Sequence, residues 1–382
     1  MIARILLPLL LLIILPACYF EWQSWEQRQK WYRRLLRWLI VAVMVWLTID
    51  MACEADYFPD DLSRLTGYLA LLAIIAVPQF IVALFSLIGR LCKRRQLLER
   101  LGVVVALLSV VVFFLGRAGF ANQLEVRHQK LSFADLPAAF DGYRIVLFSD
   151  AHVGTLNAFG QDYLRQAVDS INAQHPDLVI FAGDLLNKRY GEVEPCREVL
   201  SSVKARDGVI SVLGNHDYAE YISQKDPYDV AEQLGRSVGA HGELGWHLLR
   251  NGWQPIQRDS SRIVIAGMEN DGEGRFPQLG DISRTLQGVS LDDFVVMVEH
   301  DPTAWRRKIL PHCHAQLTLS GHTHGGQFSL FGWSPASLVY RECEGLYQVA
   351  GRMLYVTKGL GGVIPFRLGA PGEIVVITLT QK

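Results

Sequence analysis

Apolar residues are distributed along this chain in two different ways. In the first third they fill four nearly continuous stretches, at 5–20, 38–52, 67–91 and 101–120, with ionised side chains only near their ends, as Arg90 and Arg117 are. A bilayer core needs roughly 20 apolar residues of helix. The third and fourth stretches reach that length and the first two are shorter. Helices buried inside a soluble bundle alternate polar and apolar faces, and these stretches do not, so they predict four transmembrane helices. Pro78 predicts a kink in the third, which membrane helices tolerate. From about Glu125 the apolar runs shorten to strand length, each bounded by turn residues, at 144–148, 177–182, 209–213, 262–266, 294–298, 316–319, 353–357 and 373–379. Between the first two, 160–173 reads as a helix, because Tyr163, Leu164, Ala167, Val168 and Ile171 recur at helical spacing. Strands alternating with helices predict a layered α/β domain over 124–382, preceded by a membrane region over 1–123.

Charge orients the membrane region. Arg28, Lys30, Arg33, Arg34 and Arg37 separate the first two stretches, and Arg90, Lys93, Arg94, Arg95 and Arg100 separate the last two. The loop between them is acidic, with Glu54, Asp56, Asp60 and Asp61 against Arg64. Basic loops stay on the cytoplasmic side, so the N-terminus and everything after Phe120 are expected outside the cytoplasm. Trp22, Trp25, Trp31, Trp38 and Trp46 suit membrane–water interfaces. Leu15-Pro16-Ala17-Cys18 loosely resembles a lipoprotein cleavage site, but cleavage there would leave the first basic loop outside, against the charge pattern.

Over the whole chain of 382 residues, 37 Lys+Arg meet 38 Asp+Glu, so no basic excess points to nucleic acid. The hydrophobic share of 50% belongs mostly to the membrane stretches. Cys18, Cys53 and Cys92 lie in or beside those stretches, and Cys196, Cys313 and Cys343 lie later. With no CxxC among them, no disulfide framework or zinc ribbon is implied.

Polar motifs follow the strand-like runs directly, where open α/β sheets place ligand sites. They are Ser149-Asp150-Ala151-His152, Gly183-Asp184-Leu185-Leu186-Asn187, Gly214-Asn215-His216-Asp217, Glu299-His300-Asp301-Pro302, and the run from Ser320-Gly321-His322-Thr323-His324 to Gln327. Any one of these could be a helix cap or a turn. Five in series supply Asp150, His152, Asp184, Asn215, His300, His322 and His324, a set of carboxylate, imidazole and amide oxygen that suits manganese, iron, zinc or cobalt. Seven side chains exceed one ordinary site and suit two ions sharing a carboxylate. Two such ions neutralise phosphate oxygens and activate a bound water.

The order D-x-H, GD-x-x-N, GNHD, H and GHTH resembles the calcineurin-like metallophosphoesterases, over roughly residue 131 to the C-terminus. That resemblance implies a double β-sandwich flanked by helices. It implies that Asp150, His152 and His324 bind one metal, that Asn215, His300 and His322 bind the second, and that Asp184 bridges them. His216 would contact the phosphate, with Asn215, and protonate the leaving oxygen, with Asp217 orienting it; a general acid must stay free of metal to carry its proton. Protein serine/threonine phosphatases of this family carry GD-x-x-DRG and GNHE, and this chain departs from both. The phrases 140–145, 321–327 and 358–361, with Arg367, Pro371 and Glu373, are similar to a bacterial membrane-associated branch whose members act on phosphodiester or pyrophosphate bonds, some of them lipid-linked. The expected location is therefore the bacterial inner membrane, with membrane lipid and a lipid-linked phosphoester as partners and Arg367 against the substrate or in a surface ion pair.

The alternatives are a phosphomonoesterase or nuclease of the same fold, and a metal-binding scaffold without catalysis. A nuclease groove needs more positive charge than Lys188-Arg189, and the scaffold reading is disfavoured because His216 and all seven ligand candidates are present. His312-Cys313-His314 is expected at the surface or in packing, and His128, His175, His241 and His247 are expected to be structural. Phe328, Leu330, Phe331 and Trp333 are expected mainly in core packing, with an apolar lip that meets acyl chains as the other reading. The polar segments 219–236 and 270–288 are expected as loops around the site.

Overall fold

The computed structural model describes residues 2–26, 28–53, 62–157, 161–222 and 227–382. Contacts divide the chain into two units, Met1–Arg117 and Ala118–Lys382. The first contains α1 (Ile2–Glu26), α2 (Trp31–Ala52), α3 (Leu62–Leu71), α4 (Val77–Leu91) and most of α5 (Arg95–Asn122). A wide π turn at Leu72–Ala76 joins α3 to α4 without a break. Four helices, Leu6–Glu26, Trp31–Ala52, Ser63–Leu91 and Arg95–Gly119, are long and apolar enough to cross a membrane.

The π turn answers the expected kink. Pro78 lacks an N–H and its ring crowds the carbonyl four residues back, at Ile74, and the widened turn absorbs both defects. Polar side chains inside this unit pair with one another: Thr48 meets the Tyr68 hydroxyl at 3.0 Å, and Ser86 Oγ donates to Glu99 at 2.6 Å. Asp50, an acid within the second apolar stretch, sits near the end of α2 and pairs with Arg64 at 2.7 Å. Trp22, Trp25, Trp31, Trp38 and Trp46 are all exposed, as interface anchors must be. The acidic residues 54, 56, 60 and 61 lie outside the described residues.

The second unit carries twelve described strands: β1 (Leu124–Phe133), β2 (Arg144–Phe148), β3 (Leu178–Phe181), β4 (Val209–Ser211), β5 (His247–Leu248), β6 (Gly252–Arg258), β7 (Ser261–Gly267), β8 (Phe294–Val298), β9 (Leu317–Ser320), β10 (Gly345–Val349), β11 (Arg352–Val356) and β12 (Gly372–Gln381). They form two six-stranded sheets, ordered β1-β12-β2-β3-β4-β5 and β10-β11-β9-β8-β7-β6. Alternation along each central strand builds the layers. Ile145 and Leu147 of β2, Ile180 of β3, Phe294 and Val296 of β8, and Val375 and Ile377 of β12 share one core between the sheets. The opposite faces, including Val146, Phe148 and Phe181, pack against α7 (Asp162–Ala173), with Trp246 and the end of α9 (Pro227–Glu243). On the other side Val295 and Met297 pack with Trp305 and Ile309, ahead of the short α11 (Leu310–His312). The result is the expected double β-sandwich between flanking helices, with α6 (Val153–Asn157), α8 (Arg197–Ser201) and α10 (Ile282–Thr285) as short connectors.

The eight central strands are the eight runs legible as strands in the sequence. The four edge strands, β1, β5, β6 and β10, are not legible there. A central strand here is covered on both faces and reads as an unbroken apolar run. An edge strand carries polar residues, as β1 does with Arg127, His128, Gln129 and Lys130, or a proline, as β6 does with Pro255. The segment 219–236 is also not all loop, because α9 begins at Pro227. Its Gly235, Gly239 and Gly242 weaken the helical signal in the sequence. Of the helix expected at 160–173, residue 160 lies outside the described residues.

Candidate active site

Five loops, each at the C-terminal end of a central strand, converge on one patch. Five of the expected metal ligands there adopt left-handed backbone: Asp150 (φ 50°), His152 (43°), Asp184 (60°), His322 (73°) and His324 (53°). Such conformations are uncommon away from glycine, and strain of this kind concentrates at functional sites. The turns that carry them leave no room for side chains. A Cβ on Gly321 would collide with Asp150 Oδ2, and one on Gly183 (φ +93°) would meet Gly214 N at 2.6 Å and His300 Nδ1 at 2.7 Å.

The structure brings all seven expected ligands together. Asp184 lies at the centre: its Oδ2 is 3.1 Å from His300 Nε2 and 3.6 Å from His152 Nε2, and its Oδ1 accepts from His216 N at 2.8 Å. On one side His324 Nε2 lies 3.6 Å from Asp150 Oδ1. On the other, His322 Nδ1 lies 2.8 Å from Asn215 Oδ1. Two sets of ligand atoms, from Asp150, His152 and His324 and from Asp184, His300 and His322, each gather within 4.8 Å, as does a set of His152, Asp184 and His216.

The donor chemistry fits cations. Both ring nitrogens of His152 and Nδ1 of His324 are buried with no hydrogen-bond partner among the described residues. His300 must donate through Nδ1 to the Ala182 carbonyl at 2.7 Å, which turns Nε2 toward Asp184. Burial holds His152 down at about 3 and His324 well below the usual imidazole range, so both stay neutral, the form that ligates. For Asp184 burial works upward, but the His300 ring, which the Asp184 and Asp150 carboxylates hold well above the usual imidazole range against its own burial, outweighs it and keeps the carboxylate ionised.

His216 is held as a proton carrier would be. Its Nδ1 donates to the Asn187 carbonyl at 2.7 Å, and Tyr221 stacks on its ring at 4.2 Å between centroids. Asp217, expected to orient it, is engaged elsewhere in the hydrogen bonds of the described residues. The Asp217 carboxylate instead accepts from the backbone N–H groups of Asp184 (2.9 Å), Leu185 (3.0 Å), Leu186 (3.1 Å) and Gly214 (2.9 Å), stitching the loop after β3 to the loop after β4.

Arg367 is likewise neither a substrate contact nor a surface ion pair. It is fully buried, and its two terminal nitrogens donate to the carbonyls of Lys358, Gly359, Gly361, Ala370 and Pro371. That grip holds the segment whose Leu360 and Gly361 N–H groups bond the Ser149 and Asp150 carbonyls, at 2.9 and 2.8 Å. Core packing does not describe the apolar residues after His324 either: Leu330, Phe331 and Trp333 are all exposed, and Phe328 is half-buried. His312-Cys313-His314 joins no metal-binding group among the described residues, and Cys313 packs on the outer core.

Four neighbours of the ligands carry little or no sequence signal. Tyr340 lies with its hydroxyl 3.1 Å from His322 Nε2, and the fully buried Asp301 is 3.4 Å from the same nitrogen. Phe276 sets its edge against the His322 ring at 4.7 Å, and the Tyr221 hydroxyl accepts from Asn215 Nδ2 at 2.8 Å. Asp301 stands inside a recognisable motif, and Tyr221 and Phe276 stand in the two segments expected to surround the site. Tyr340 has no signal of its own.

Residues 143–326 match the family model of the calcineurin-like phosphoesterases. The metallophosphoesterase YkuE of Bacillus subtilis is 31% identical over 301 residues, 75% of this chain and 97% of that one. A transmembrane protein with metallophosphoesterase domain from Danio rerio is 29% identical over 365 residues, 91% of this chain and 80% of its own length. The UDP-2,3-diacylglucosamine pyrophosphatase LpxG of Chlamydia trachomatis is 25% identical over 320 residues, 68% of this chain and 91% of that one. With the ligand loops, the sandwich and these relatives in agreement, the chain belongs to the calcineurin-like phosphoesterase family and is a metal-dependent phosphoric ester hydrolase.

Proposed function

We propose that this protein hydrolyses phosphodiester or pyrophosphate bonds in a phospholipid or lipid-linked substrate, at the outer face of a bacterial inner membrane. The observation that carries the reading is Asp184, whose carboxylate stands between two sets of ligand side chains, Asp150, His152, His322 and His324 among them on left-handed backbone. Asp150, His152 and His324 would hold one divalent ion and Asn215, His300 and His322 the other, with Asp184 shared. The ions would supply charge neutralisation and a bound water of lowered pKa. His216, its Nδ1 proton committed to Asn187, would present Nε2 to the leaving oxygen and protonate it. Asn215 and His216 would face the phosphate, and burial of the whole patch would strengthen each of these interactions.

Three observations support a lipid-linked substrate: four membrane-length helices in the same chain, LpxG among its relatives, and a departure from the protein-phosphatase motifs. The charge pattern of the membrane loops supports the outer side, where precursors carrying cytoplasmic nucleotides are out of reach. The purified protein with manganese should cleave a soluble aryl phosphodiester, and a panel of lipid phosphodiesters and pyrophosphates, run with several metals, would then rank the substrates. An Asp184→Ala or His216→Ala variant as active as the parent would reject the site.

A further inference from the structure

An apolar projection stands beside the metal-ligand loops and is not needed for either metal. Leu330 and Trp333 close a tight hairpin through two backbone hydrogen bonds, of 2.9 and 3.0 Å, with Phe331 at its tip. A short helical turn at Pro335–Leu338 follows at once. Phe331 is 100% exposed, Leu338 77%, Val339 76% and Trp333 51%. Exposure of this many large apolar side chains within ten residues marks a binding surface, because soluble surfaces rarely cluster them. Both ends of the segment are tied to the site. It leaves the chain after His324 and Gln327, Ser334 Oγ donates to the Gly325 carbonyl at 2.8 Å, and Tyr340 closes on His322.

Strand register says which end of the domain this is. β2 runs into the Asp150 loop, and β12 lies antiparallel to it with Val375 opposite Leu147. β12 therefore starts at the site end. β1 is parallel to β12 with Leu124 opposite Gly372, and Gly372 N donates to the Gln123 carbonyl at 3.0 Å. The chain thus leaves the last membrane-length helix, α5, and enters the domain at the same end that carries the metal ligands. The projection belongs to that end too: Phe328 pairs with Leu368 and Ser329 N donates to the Leu368 carbonyl at 2.8 Å, shortly before β12 begins.

We propose that the projection at 330–339 is a lipid-contacting lip that dips into the bilayer surface beside the metal site. Its occupant is the lipid surface, because the chain enters the domain at this end directly from α5, a helix long and apolar enough to cross a membrane. Trp333 is the residue type that settles at the headgroup level, and the exposed Arg341 that follows suits anionic headgroups. A lip in that position lets a phosphate reach the metals while the acyl chains stay in lipid, so the inference deepens the lipid-linked reading above and rests on it for its purpose.

The full chain, reconstituted in vesicles of phosphatidylethanolamine and phosphatidylglycerol, tests this with a photo-crosslinking p-benzoylphenylalanine in place of Phe331 or, separately, Leu338. Leu291 serves as the control position, being 83% exposed ahead of β8 and so at the end of the sheet away from the site. Mass spectrometry should find phospholipid adducts at 331 and 338 and none at 291. Absence of adducts at both lip positions, adducts only to a second copy of the chain, or equal labelling at 291 would overturn the proposal. Hydrolysis of a soluble aryl phosphodiester by the same preparations tests catalysis separately, so failure of the lip and failure of the phosphoesterase reading give different results.

Discussion

Single side chains in this domain do different work from the neighbours they resemble in sequence. Asp217 sits next to His216, yet its carboxylate gathers four backbone N–H groups from two loops. Asp217→Asn turns an amide N–H₂ toward those donors and leaves buried groups unsatisfied, which costs about 1–3 kcal/mol. The expected outcome is a lower thermal unfolding midpoint with impaired metal retention, read by calorimetry and metal analysis; a variant of unchanged stability with only a shifted pH–rate profile would return Asp217 to the role of orienting His216. His241 is fully buried, 2.9 Å from Ser211 Oγ, and burial pulls it down to about 3. The native state therefore binds fewer protons than the unfolded chain below pH 6.5. That contribution is fully present above pH 6.5 and is lost as pH falls toward 3, by about 2 kcal/mol at pH 5. Thermal melts should show a smaller loss of stability between pH 7 and pH 5 in His241→Leu than in the parent.

Elements set the ligands' geometry through their ends. Each central strand stops where its neighbours' loops need space, and the glycines make that stop possible. Gly183→Ala would force a side chain into a backbone conformation costing about 1–3 kcal/mol, with its Cβ 2.6 Å from Gly214 N. Reduced metal content and a lower unfolding midpoint are expected, and a fully loaded, parent-like variant would show that the loops can give way. The elements also explain what could be read in advance. β2, β3, β8 and β12 were visible as apolar runs because both of their faces are covered. The edge strands β1 and β10 face solvent on one side, and their polar residues hide them. Helix α9 was hidden by its glycines, although its place against the outer face of the first sheet is decided by packing.

In the whole molecule, helices long and apolar enough to cross a membrane are joined to a hydrolase through a single residue, Gln123, between α5 and β1. Its basic, acidic and basic loops predict that the catalytic domain lies outside the cytoplasm. A dual reporter fused after Lys382 should give an extracytoplasmic signal. A strong cytoplasmic signal would reverse the topology and bring nucleotide-linked lipids, of the kind named for LpxG, back within reach.

From the sequence alone came the four helices long and apolar enough to cross a membrane, the eight central strands, and all the ligand candidates that the structure gathers, because apolar runs and strand-end motifs are local signals. The roles of Asp217 and Arg367 were decided only by tertiary structure: which carbonyl or N–H group a buried side chain meets depends on segments distant in the chain. Phe331 was settled in the same way. An apolar residue after a ligand motif reads alike whether it is buried or exposed, and only the packed fold, which leaves Phe331 fully exposed, distinguishes the two.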